Sequence, residues 1–186
     1  MNGIIDKVKR LSGREFTRQL FKGTAMPLFI ILGVGFLYVL SMVFIDHQAL
    51  PFPQIILSLA IAKTIFISHS AMKRLTGLVR HCGSANRLLL VFGILIGAGI
   101  VSFAADYTCL YQVDSGSFSG MNSHPGPYLH DLGQFMYFSL ITFATIGFGD
   151  IVPVTGVARA VVMLEVGLSF FIVVFAVSNI KQINQT

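Results

Sequence analysis

The run Thr142-Phe143-Ala144-Thr145-Ile146-Gly147-Phe148-Gly149-Asp150-Ile151-Val152-Pro153 holds the residues whose types and spacing point to chemistry. That chemistry is coordination by the backbone itself. An ion leaving water must exchange its hydration shell for other oxygens, and peptide carbonyls supply them when several strands line one axis. Successive carbonyls point the same way only if the backbone alternates between right- and left-handed dihedrals, and glycine enters the left-handed region without steric cost. Gly147 and Gly149 alternate accordingly with Ile146 and Phe148. The Thr145 hydroxyl adds an oxygen at the inner end of the stack, Phe148 points outward and wedges the strand against its surroundings, and Asp150 closes the outer end. A Gly-Phe-Gly triplet alone reads as a turn. This one has Thr before it, Asp directly after it, Pro beyond, and an apolar helix on each side.

The elements that must position such a strand are apolar. The chain is 54% hydrophobic and only 11% charged, against roughly 25% charged in soluble domains, which makes it a membrane protein. Residues 26–45 and 88–105 are uncharged apolar runs, each long enough at 1.5 Å per residue to cross a hydrocarbon core of about 30 Å. Residues 54–72 contain Lys63 and His69, and residues 157–180 contain Arg159 and Glu165; both still read as spans. The expected fold is an all-α membrane protein with four transmembrane helices. Between spans three and four, residues 132–143 are apolar but too short to cross and suit a re-entrant helix. Asp131 with Gln134 matches a capping box that starts this helix at the aqueous side. The carboxyl ends of such helices, each with about half a negative charge, favour a cation in a central cavity.

Basic residues orient the chain. Lys7, Lys9, Arg10, Arg14, Arg18 and Lys22 precede the first span, and Lys73, Arg74, Arg80 and Arg87 lie between spans two and three. Segments of this kind stay cytoplasmic. The segments after spans one and three carry Asp46, Asp106, Asp114 and Asp131 without Lys or Arg. Both termini are therefore expected inside and the strand opens outward. The expected organisation is an interfacial amphipathic segment (1–25), two N-terminal spans (26–72), a basic cytoplasmic loop (73–87), a pore domain (88–180) and a cytoplasmic tail (181–186). Within the pore domain come an outer helix (88–105), an external loop (106–131), a pore helix (132–143), a filter (145–150) and an inner helix (157–180). In the first segment Ile4, Ile5, Val8 and Leu11 recur at helical spacing, and Ser12 with Glu15 matches a second capping box; a disordered basic tail is the alternative. A secretory signal peptide is the rival reading of the first 45 residues, but the long basic lead fits an anchor better. The net charge of +5 fits a membrane surface and calls for no nucleic acid.

The run Thr145-Ile146-Gly147-Phe148-Gly149-Asp150 closely resembles the potassium-channel signature, and the resemblance extends from about Gln134 to Ile180. It implies a channel of the single pore-loop, tetrameric type, with potassium ions held at Thr145, Ile146, Gly147 and Phe148 and no other cofactor. Only one such motif is present, so four walls need four copies. The resemblance implies that Tyr137 and Phe138 form an aromatic cuff around the filter and that the Tyr137 hydroxyl bonds the Asp150 carboxylate. Ala144 departs from the family's usual threonine, and Ile141 stands where some relatives have glutamate. The family's hinge glycine falls at Ser169, with Gly167 two residues earlier, so a hinge at either is open.

Charges inside a membrane are functional suspects because burying them is costly unless they are paired or reach water. Lys63 and Glu165 are expected at similar depths, and an ion pair between them, within or between subunits, is one expectation. The other has Lys63 snorkelling and Glu165 bonding pore-helix hydroxyls such as Ser139 or Thr142. The second span does not read as a voltage sensor, because Lys63 stands alone in it where a sensor repeats arginine at every third position. His124 and His130 in the outer loop are candidates for proton sensing or plain solvated residues, and Gly93 with Gly97 makes a helix-packing surface. Cys82 and Cys109 fall on opposite sides of the membrane and cannot pair with each other; Cys109 is a free thiol or an intersubunit bridge. No enzymatic cluster occurs. The leading function is passive potassium conduction across the cell membrane by a homotetramer. The alternatives are a nonselective cation channel and a non-conducting regulatory subunit with a pore-like fold. The gating stimulus, and whether an unidentified partner supplies it, stays open.

Overall fold

The computed structural model describes residues 52–79 and 85–180. The expected first span, the interfacial segment, Cys82 and the tail 181–186 lie outside the described residues. The elements are α1 (Phe52–Val79), α2 (Ala85–Val113), a 3-10 turn (Ser115–Ser117), β1 (Phe118–Ser119), α3 (Tyr128–Phe143), β2 (Val152–Pro153) and α4 (Gly156–Ile180). Among the described residues, α1, α2 and α4 are long and apolar enough to cross a bilayer. The protein is thus an all-α membrane protein. α3, at 16 residues, is about 24 Å long and too short to do the same.

Each spanning helix buries one stripe. On α1 the buried positions Phe52, Ile56, Ala60 and Ile67 recur at helical spacing, and they face α2 and α4. On α4 the stripe is Ala158, Val161, Glu165, Leu168, Ser169 and Ile172, again one face. The outer half of α2 differs: Phe103, Ala104, Tyr107, Thr108, Cys109, Leu110 and Tyr111 are all buried. A helix buried all round is enclosed by its neighbours, and here α1, α3, α4 and the 3-10 turn all pack on it.

α2 overruns its expected end at Ala105 by two turns. No glycine or proline lies between Ala105 and Asp114, so nothing breaks the helix there. It stops at Asp114, whose side chain accepts the Gly116 N–H at 3.0 Å and the Ser117 hydroxyl at 3.3 Å, turning the chain into β1. Asp106 is therefore not an external-loop residue but a helical one facing α1. Cys109 is a free, buried thiol, the first of the two expectations for it. α3 also starts earlier than its expected first residue, Leu132. Tyr128 follows Pro127, which offers no side-chain cap. Asp131 lies inside the first turn rather than before it, and its carboxylate reaches back to accept the Gly126 N–H at 2.9 Å and the Gln112 amide at 2.7 Å.

An aromatic cluster locks α3 to α2 and β1. Tyr107, Tyr111, Phe118, Phe135 and Phe138 meet with centroid separations such as 4.8 Å for Phe118 and Phe135 and 5.2 Å for Tyr107 and Phe138, both edge-on, the arrangement ring quadrupoles favour.

The expected Lys63–Glu165 pair does not form in the protomer. The Lys63 ammonium instead forms a salt bridge with the Asp106 carboxylate, donates to the Ser102 carbonyl at 3.0 Å and lies 4.4 Å from the Phe103 ring centroid. Ser102 and Asp106 are one turn apart on α2, so a single face receives the ammonium. The physical reason for the correction is the extension of α2, which carries a carboxylate to Lys63 while Glu165 is engaged elsewhere. The pair is part-buried, so removing one member leaves a charge with incomplete solvation. Lys63→Met is expected to destabilise the protein by about 1–3 kcal/mol, between an exposed and a fully buried pair, and the exchange of Lys63→Asp with Asp106→Lys to recover part of that loss. Thermal unfolding in detergent measures both.

Candidate functional site

The C-terminus of α3 passes directly into the strand of residues 145–150 through three hydrogen bonds. The Ala144 N–H donates to the Leu140 carbonyl at 3.0 Å, the Thr145 N–H to Thr142 at 3.0 Å, and the Ile146 N–H to Ile141 at 2.9 Å. With Thr145 at a φ of 57°, this is the Schellman arrangement, in which the first residue past the helix takes a left-handed conformation. Glycine normally fills that position. A threonine there costs roughly 1–2 kcal/mol, a strain that keeps a side-chain hydroxyl at the start of the strand. The helix end and the strand share these bonds, so the strand has no slack relative to α3.

The left-handed conformation then recurs at every second residue. Gly147 has a φ of 58° and Gly149 a φ of 79°, while Ile146 and Phe148 lie between them. All of residues 144–150 are exposed in the single chain. Ile146 is 56% and Phe148 67% exposed, large apolar side chains left mostly uncovered by the protomer.

The outer end is braced from two sides. A hydrogen bond from the Tyr137 hydroxyl holds the Asp150 carboxyl below its ordinary range, helped by backbone N–H groups of Asp150 and Ile151, and the same bond pushes the Tyr137 phenol up. β1 pairs antiparallel with β2, Phe118 opposite Pro153 and Ser119 opposite Val152. Gly120, at a φ of 87°, comes so close that a Cβ there would lie 1.8 Å from the Asp150 carbonyl oxygen. The loop before α3 thus reaches Asp150 at the end of the strand through a contact only glycine permits. Beyond the strand, Thr155 starts α4, its hydroxyl accepting the Ala158 N–H at 3.3 Å.

Behind α3 lies a second polar centre. Glu165 on α4 is fully buried. Tyr107 on α2 donates its hydroxyl to Glu165 Oε2 at 2.5 Å, and Ser139 on α3 donates to Oε1. Ser139 Oγ also lies 3.1 Å from the Ile100 carbonyl.

The sequence-expected residues therefore divide. Thr145 to Asp150 and Tyr137 come together at one surface. Phe138 turns the other way, into the aromatic cluster on α2, and Ile141 is buried in the core. Glu165 takes the Ser139 hydroxyl, the second of the two expectations for it. Gly167 faces open space, and Ser169 is buried with its hydroxyl returned to the Val166 carbonyl at 2.7 Å, while α4 runs unbroken through both. His130 Nδ1 lies 3.2 Å from Asp131 Oδ1 at the start of α3. Asp106, Tyr107 and Gly120 were missed. The absence of any helix breaker after Ala105 was the available signal for the first two; for Gly120 no local signal separates it from an ordinary loop glycine.

A chain of apolar spanning helices around a re-entrant helix and an exposed strand is the architecture of a membrane protein with a channel domain. Residues 107–186 match the family model described as ion channel. The match begins at Tyr107 and takes in the outer loop, α3, the strand and α4. No curated protein and no solved structure matches the chain.

Two outcomes follow from the braces. Tyr137→Phe removes the bond that favours the charged carboxylate, so the Asp150 titration midpoint moves to higher pH, read by carboxyl-carbon NMR. The sign is that of a depressed acid: the contribution to stability is present above the ordinary carboxylate range and is lost as pH falls through the lowered native value, and the variant loses it at higher pH. Gly120→Ala adds a clash to a left-handed backbone cost of roughly 1–2 kcal/mol. It is expected to lower the melting temperature and to speed amide exchange at residues 117–120.

Proposed function

We propose that the chain is a potassium-selective channel that conducts passively as a homotetramer. The observation that carries this reading is the positive φ at Thr145, Gly147 and Gly149 on a strand exposed along its whole length. Alternation of this kind turns successive carbonyls to one side, and rings of carbonyls from four strands replace the water around a potassium ion. One strand offers a quarter of such a shell. The exposed Ile146 and Phe148 support burial of this segment by other copies, and a closed ring of identical subunits about one axis is the symmetric way to achieve it.

In this reading Thr145, Ile146, Gly147, Phe148 and Gly149 bind the ions in single file. Tyr137 and Asp150 support the outer mouth, and α4 lines the inner cavity. Lys and Arg before the expected first span (26–45) and between α1 and α2 support both termini on the cytoplasmic side of the cell membrane, with the filter opening outward. Gly147 and Gly149 are required because a Cβ at positive φ is strained.

The test is ion flux into liposomes containing the purified full chain, with sodium and barium as comparisons. Potassium flux that greatly exceeds sodium flux and is blocked by barium is expected, as is a tetrameric mass. Gly147→Ala is expected to abolish potassium flux. Equal sodium and potassium flux would instead give a nonselective cation pore, and an intact tetramer without flux a non-conducting subunit.

A further inference from the structure

We propose that Glu165 is a positioning residue for the pore helix α3, and through it a determinant of which ion the filter accepts; the proposal rests on the channel reading above. Three helices meet at this one carboxylate. Glu165 belongs to α4, Tyr107 to α2 and Ser139 to α3, and the two hydroxyls take separate carboxylate oxygens. The site is fully buried, on a stripe whose other members include Ala158, Val161, Leu168 and Ile172.

Packing alone does not explain a carboxylate there. A buried charge costs several kcal/mol unless paired or hydrogen-bonded, and an apolar residue of similar volume is often as stable or more so. What an apolar residue lacks is direction. A hydrogen bond to a carboxylate is short and angle-dependent, so the two hydroxyls fix the rotation and axial position of α3 against α2 and α4. Apolar contacts permit it to slide. The Ser139 hydroxyl has one proton and two acceptors within reach, Glu165 Oε1 and the Ile100 carbonyl, which ties the same point of α3 to the backbone of α2 as well.

The consequence reaches the filter because of how α3 ends. Ser139 lies less than two turns before the Schellman cap, and the Thr145 and Ile146 N–H groups are bonded to the last carbonyls of the helix. Any rotation or slide of α3 is carried into the strand without a flexible joint. Selection between potassium and sodium depends on the size or field strength of the carbonyl cage, so a small displacement of α3 alters discrimination before it unfolds the protein. Tyr107 is itself a member of the aromatic cluster that grips α3 through Phe135 and Phe138. These residues and Ser139 lie on one face of α3, where the rings supply area and the carboxylate supplies register.

The test is the bi-ionic reversal potential for potassium against sodium, recorded in planar bilayers from the purified full chain and from four variants. Tyr107→Phe, Ser139→Ala and Glu165→Leu each remove directional bonds. Each is expected to lower the potassium-to-sodium permeability ratio about tenfold, the scale of one hydrogen bond to a charged group. Glu165→Gln keeps the shape; its carbonyl accepts from Tyr107 and its amide donates to Ser139, whose proton turns to the Ile100 carbonyl. This conservative variant is expected to stay within about twofold of wild type. A tetrameric Tyr107→Phe or Ser139→Ala protein with the wild-type ratio overturns the proposal. So does loss of assembly in both, which would make the cluster a folding element only. A wild-type chain without potassium selectivity fails the channel reading itself, a result distinguishable from either.

Discussion

A strand whose backbone changes hand at every second residue forms neither a helix nor a sheet ladder, because both require neighbouring residues to repeat one conformation. Whatever holds residues 145–150 in place must come from outside the strand, and the rest of the described structure is arranged around that constraint. At the inner end the terminal bonds of α3 continue into the strand. At the outer end Tyr137 and the Gly120 turn fix the Asp150 residue from opposite sides. Between these ends the side chains of Ile146 and Phe148 remain exposed in the single chain.

The scaffold divides its work between area and direction. Apolar stripes on α1 and α4 and the ring cluster on α2, β1 and α3 supply non-directional burial. Two polar centres sit within this apolar interior: Lys63 with Asp106, joining α1 to α2, and Glu165 with Tyr107 and Ser139, joining α4 to α2 and α3. Asp106 and Tyr107 are consecutive in sequence, so the two centres are adjacent on one helix and face different partners. α1 lies before the residues matched by the ion-channel family, yet through Asp106 it is attached to the same turn of α2 that holds the back of the pore helix. α1 is thereby bound to the part of α2 that holds α3, the helix that leads into the strand of residues 145–150.

Much of this was legible in the sequence, and the reasons differ by element. The alternation of Gly147 and Gly149 with Ile146 and Phe148 announces backbone handedness, because glycine is the residue for which left-handed dihedrals are free. The spans announce themselves by length and lack of charge. Thr145 at positive φ was not legible: threonine disfavours that conformation, and only the helix-capping bonds reveal why it is adopted. The start of α3 was misplaced because Asp131 and Gln134 fit a capping box equally well on paper, whereas Asp131 instead spends its oxygens on Gly126 and Gln112.

The intramembrane charges mark the boundary most clearly. Sequence alone placed Lys63 and Glu165 at similar depths and left two outcomes, an ion pair between them or Lys63 snorkelling with Glu165 on hydroxyls of the neighbouring short helix, since an unpaired charge in an apolar interior is too costly to persist. Which partner each takes was decided by tertiary structure. Helical depth gives one coordinate, while pairing depends on the rotation of each helix about its axis and on which neighbour it faces, and those are set by the packing of many side chains at once. α2 ran two turns further than its apolar core, delivering Asp106 to Lys63 and Tyr107 to Glu165, and the two charges that match in depth were thereby separated.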